Sequence, residues 1–168
     1  MADAEPVMKG MIAMTMPYLA QAGEQQTLEW IDGGTFSVLL DSEATEGQLT
    51  VGRFRVGKGE APPFHMHTRE DEVFMLISGS ALLWAGEEQM EMTEGGIVYL
   101  PRNIPHGYRI TSDTADLLMI ATPGGIEGLF RHAGRDVRTP RPEDFKLDPV
   151  KMAEAADMYG QVVLGPPR

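Results

Sequence analysis

The chain contains no cysteine. That excludes a disulfide framework, a zinc ribbon and a thiol nucleophile, and it suits a reducing cytoplasm, the compartment expected here. No apolar run in the 168 residues approaches the roughly 20 that a bilayer crossing needs. No basic segment followed by a long apolar stretch opens the chain, so no secretory signal is read there. Positive charge is also scarce. The 14 Lys and Arg residues are outnumbered by 25 Asp and Glu, for a formal net charge of -11. An acidic surface repels phosphate backbones and anionic lipid, which sets nucleic acid and membrane aside as partners. The one loose basic group, Arg131, Arg135, Arg138 and Arg141, is expected to be a solvated surface segment. Histidine is scarce as well, at four residues, so their positions carry weight.

What is present reads as one β-rich domain. The length suits a single domain, which at this size hides roughly 70% of its unfolded surface. Short β-type runs with turn residues between them fill residues 26–122: Thr27–Ile31, Thr35–Leu40, Leu49–Val56, Glu72–Ser78, Ala81–Ala85, Gln89–Thr93, Ile97–Leu100, Gly107–Thr111 and Asp116–Thr122. Such spacing predicts an antiparallel sandwich or barrel. After Pro123-Gly124-Gly125, the residues Ile126, Leu129, Phe130 and Ala133 fall at helical spacing. That helix could cover one mouth of a barrel or pack on its surface. Thr139–Phe145 reads as a loop. Asp148 as cap, Pro149 in the first turn and Gly160 at the exit predict a second helix, and Gln161–Leu164 a short last strand. The expected organisation is a weakly ordered Met-rich leader at 1–16, a barrel with its following helix at 17–133, and a C-terminal arm at 134–168.

Three of the four histidines belong to one pattern: His65-Met66-His67, then Glu72, then His106. On a strand, residues two apart point to the same side, roughly 6.5–7 Å apart. His65 and His67 can therefore converge on one ion at roughly 2.0–2.2 Å from each nitrogen. Glu72 lies an odd step from His67, so the strand must break between them, and Thr68-Arg69-Glu70-Asp71 suits a polar turn. Glu70 and Asp71 compete with Glu72 as nearby carboxylates. On the return strand Phe74 and Leu76 share the face of Glu72, and Tyr108 lies an even step from His106. These three are candidates for the cavity wall and for substrate contact, with ordinary barrel packing the alternative. His132 stands outside the pattern and is expected on a helix surface. Three imidazoles and a carboxylate suit one divalent transition metal ion, Fe, Ni, Co, Mn or Zn, and each imidazole must be neutral to bind it.

Gly59-x5-His65-x-His67-x4-Glu72-x6-Gly79, followed by Gly95-x5-Pro101-x-Asn103-x2-His106, resembles the two motifs of the cupin superfamily. The second motif departs at Asn103, where Gly is usual, and at Ile110, where Asn is usual. Neither position is a ligand, and Asn tolerates a left-handed backbone better than other non-Gly residues. The stretches from Pro63 to Phe74, from Leu100 to Arg109 and from Thr122 to Glu127 look similar to bacterial single-domain quercetin 2,3-dioxygenase-like cupins.

The resemblance implies an all-β cupin barrel, a double-stranded β-helix or jelly roll, with short C-terminal helices. It implies His65, His67, Glu72 and His106 as metal ligands, with Glu72 also accepting the substrate's hydroxyl proton as general base. The activity implied first is a metal-dependent dioxygenase acting on an aromatic or enolic hydroxyl compound, with that small molecule and O2 as partners. The same motif also serves non-redox isomerases, cyclases and lyases, and small-molecule binders without turnover. Relatives of this kind imply a homodimer.

Overall fold

The computed structural model describes residues 17–168, so the expected leader at 1–16 lies outside the described residues. Its strands are β1 (Gln26–Glu29), β2 (Thr35–Leu40), β3 (Thr50–Gly57), β4 (Phe64–His67), β5 (Asp71–Ser78), β6 (Ser80–Ala85), β7 (Glu88–Thr93), β8 (Ile97–Leu100), β9 (His106–Ile110) and β10 (Thr114–Thr122). Then follow α1 (Glu127–Ala133), β11 (Arg135–Asp136), α2 (Pro149–Met158) and β12 (Gln161–Gly165). The strands pair antiparallel in two sheets, ordered β11-β1-β2-β3-β10-β5-β8 and β12-β4-β9-β6-β7. This is the jelly-roll barrel expected from the sequence.

Alternation builds the core between the sheets. Along β3, Thr50, Gly52, Phe54 and Val56 point inward while Arg53 and Arg55 face outward. Gly52 is required by its neighbour: a Cβ there would collide with the Phe36 ring. Phe36 in turn stacks on Phe130 with ring centroids 3.8 Å apart. That stack draws α1 into the core. Ile126, Leu129, Phe130 and Ala133 are all buried, so the helix closes one end of the barrel rather than lying on its surface.

The C-terminal arm returns to the barrel. Asp148 caps α2 by accepting from the Val150 N–H at 2.9 Å, and Gly160 leaves the helix with φ 75°. β12 then pairs with β4, with Gln161 opposite His67 and Val163 opposite His65. The expectation of a surface segment holds for Arg131, Arg138 and Arg141, which are exposed, and needs correction at Arg135. Arg135 and Arg141 converge on the buried Glu29, at 2.7 and 2.9 Å, and Arg135 is itself well covered. Burial pushes the Glu29 carboxyl up, but hydrogen bonds from both guanidinium groups outweigh it and hold it below its ordinary range. No described helix is long and apolar enough to cross a membrane.

Candidate metal centre

β4 puts His65 and His67 on its buried face, with Phe64 and Met66 only half-buried on the other. The chain turns at residues 68–70 and re-enters as β5, where Glu72, Phe74 and Leu76 face inward. His106 opens β9 directly across from His65, with ring centroids 4.6 Å apart. Asn103 adopts φ 64° and donates its backbone N–H to the His67 carbonyl at 2.7 Å. The residue that departs from the usual motif thus makes the left-handed turn and clips it to the end of β4.

The four side chains converge. One donor atom from each of His65, His67, Glu72 and His106 lies within 4.8 Å of the other three, and each residue is at most 7% exposed. The histidine tautomers follow from second partners. Nδ1–H of His65 donates to the Pro63 carbonyl at 2.6 Å, and that of His106 to the Ile104 carbonyl at 3.0 Å. The opposite Nε2 atoms are then left as bare lone pairs aimed into the cavity. His106 Nε2 stands 3.2 Å from Glu72 Oε2 yet has no hydrogen-bond partner among the described residues. His67 Nε2 stands 3.4 Å from the same oxygen. Lone pairs facing one another in a buried space call for a cation between them, so the residues fit a divalent ion.

Protonation points the same way. Burial, reinforced by His106 and His67, pushes His65 down to about 3. Burial lowers His67 as well. Both are neutral where free imidazole begins to charge. Burial alone would raise Glu72, and what lowers it is positive charge shared with His67 and His106 in the cluster, so an ionised Glu72 goes with a positive charge among the imidazoles.

The competing carboxylates separate. Asp71 faces away and accepts from the Arg102 backbone N–H at 2.8 Å and its Nε at 3.0 Å. Glu70 is buried but contributes no atom to the cluster. Phe74 and Tyr108 line the cavity beside the cluster, together with Phe54, Leu83, Leu100 and Met119. Leu76 does not line it. It lies fully buried further along β5, in barrel packing. His132 is on α1, away from the cluster, 3.3 Å from Glu154. Trp30, Met152 and Gln161 also line the cavity and were not expected from sequence. Gln161 arrives there through the β12–β4 pairing, which joins segments some ninety residues apart and leaves no local signal.

A barrel of two antiparallel sheets with a His-rich cluster inside defines a double-stranded β-helix with an internal group of residues that could hold a metal ion. The cupin domain family matches residues 52–123, the stretch that holds His65, His67, Glu72 and His106. The chain is 26% identical over 119 residues to quercetin 2,3-dioxygenase of Bacillus subtilis (strain 168), covering 71% of this chain and 35% of the enzyme. Against quercetin 2,3-dioxygenase of Aspergillus japonicus it is 32% identical over 75 residues, covering 42% of this chain and 21% of that one. The chain thus spans about a third or less of the length of these relatives. Among solved structures, KdgF from Halomonas sp. superposes with a TM-score of 0.59 at 14% identity, covering 66% of this chain and 96% of that one, a likeness of fold.

Proposed function

We propose that this protein is a metal-dependent dioxygenase acting on an aromatic or enolic hydroxyl compound, with His65, His67, Glu72 and His106 as the ligands of one divalent transition metal. The observation that carries the metal is the facing lone pairs of His106 Nε2 and Glu72 Oε2, 3.2 Å apart in a buried space. The likeness to two quercetin 2,3-dioxygenases supports the oxygenase reading. A bound divalent ion supplies Lewis acidity toward a substrate oxygen and, where redox-active, electron exchange with O2. The chain's own part is to hold three imidazoles in place, to exclude water with Phe74, Leu100 and Met119, and to accept the substrate's hydroxyl proton at Glu72.

Two measurements test this. Elemental analysis of the purified protein is expected to find about one ion per chain, lost in His65→Ala and in His106→Ala. Full metal content in both variants would sink the ligand assignment. An oxygen electrode, run across flavonols and catechols after reconstitution with Fe, Ni, Co or Mn, is expected to record uptake that Glu72→Gln abolishes. Substrate loss without oxygen uptake would move the protein to the non-redox class.

A further inference from the structure

The cavity at the histidine cluster is about 50 Å³. That admits a few water-sized groups and no multi-ring compound, since pockets that bury such ligands run to roughly 300–1,000 Å³. A hollow of about 920 Å³ lies immediately outside it. One wall is the barrel rim at Trp30–Gly33. The other is the C-terminal arm, with Phe145, Lys146 and Leu147 ahead of α2 and Met152 and Ala153 on the helix. The two hollows share Trp30, Ile31, Pro63, Met152 and Gln161, so only side chains separate them. Gln161 sits beside His67 across the β12–β4 register, which places a side-chain amide at the threshold.

We infer that the site has two chambers. The inner one takes the hydroxyl-bearing head of the substrate, and the groove under the C-terminal arm takes its body. This rests on the metal-centre reading for the head, while the groove stands on its own geometry. The groove's chemistry names the body it fits. Trp30, Phe145, Leu147 and Met152 offer apolar and aromatic surface for a planar ring system. Arg141 is already held by Glu29, whereas Lys146 is exposed and makes no ion pair among the described residues. A body of two or three rings carrying an acidic hydroxyl at its outer end matches that arrangement. Substrate choice would then be set by the arm as well as by the barrel.

The test uses binding without turnover. The chain has two tryptophans, and Trp84 is half-buried on β6, bonded to Gln89, so Trp84→Phe leaves Trp30 as the only fluorescent indole. In that background, loaded with redox-inert zinc, Trp30 quenching is titrated with quercetin and with catechol. Ala153→Phe narrows the groove from an exposed position on α2, and its fold is checked by circular dichroism. The expected result is a quercetin Kd raised at least about tenfold, a loss of about 1.4 kcal/mol, with the catechol Kd changed less than about twofold. Equal shifts for both ligands, or none for either, would overturn the groove assignment. Failure of wild-type protein to bind zinc or catechol would count against the metal centre, while the quercetin response to Ala153→Phe would still decide the groove.

Discussion

Glu72 and Glu127 are both almost fully buried, at 3% and 2% exposure, and they sit in opposite kinds of surroundings. Glu127 opens α1 and is met by the protein's own donors. The Ser42 N–H and hydroxyl reach Oε1 at 2.9 and 2.5 Å, the Gly125 N–H reaches Oε2 at 3.0 Å, and the Thr50 hydroxyl completes the set. Burial would raise its carboxyl, but the bonds from Ser42 and Thr50 outweigh that and keep it low. Glu72 faces imidazole nitrogens instead, two of whose rings have already spent their N–H on backbone carbonyls. The first carboxylate is finished by the fold and staples the residue 42–50 loop to α1. The second is left wanting a cation. Burial of an acid is therefore no sign of function until its partners are counted.

The largest expected effect breaks the finished site. Glu127→Ala takes the acceptor from four donor groups, the Ser42 N–H and hydroxyl, the Thr50 hydroxyl and the Gly125 N–H, and should cost about 4 kcal/mol in denaturant unfolding. Metal bound per folded chain should stay unchanged, because no atom of Glu127 belongs to the histidine cluster. A loss under about 1 kcal/mol would show that the loop re-pairs with water and that the two sites differ less than their hydrogen bonds suggest.

The Glu72 half of this contrast could be read before the fold was known, and the reason is local chemistry. β2 and β8 have the ends expected for them, because alternation and turn residues bound them on both sides. The His65–His67 parity, the break before Glu72 and the turn at Asn103 are likewise local. What escaped notice depends on distant partners. The two-residue β11 exists only because β1 pairs with it. Gln161 reaches the cavity only because β12 lies against β4, and Phe130 is core only because Phe36 lies beneath it. Glu127 sits in a stretch that resembles a relative's, but nothing in that stretch says its carboxylate is structural.

Glu60 is a third buried acid, intermediate between the other two, and it sharpens the comparison through pH. It is 2% exposed, and among the described residues its Oε2 has no partner and its Oε1 meets only the Tyr108 hydroxyl, at 3.5 Å. Burial raises its carboxyl to about 7, with the Tyr108 bond opposing and Asp32 adding to the rise. A raised carboxyl contributes stability that is fully present below about 4.5 and lost as pH climbs through about 7. The loss is at most about 3 kcal/mol. Glu60→Gln cannot ionise, so its stability relative to wild type should improve by about 2–3 kcal/mol between pH 4.5 and pH 8. A difference between the two proteins that stays flat with pH would mean that Glu60 is already ionised and partnered at neutrality.

The smallest effect separates the unfinished site from the finished one directly. An ion that binds only the folded chain stabilises it by about 2.7 kcal/mol at a hundred times its Kd. Thermal unfolding of wild-type protein should therefore rise with added zinc or nickel. It should not move in His65→Ala, and the metal-free Glu72→Gln protein should be within about 1 kcal/mol of wild type, since that change removes a charge the fold alone does not satisfy. Glu127→Gln should begin from a lower melting temperature and still show the full metal-dependent rise, because the cluster is intact. Were metal to rescue Glu127→Gln no better than His65→Ala, the two carboxylates would be coupled through α1, whose Ile126, Leu129 and Phe130 line the cavity on its other side.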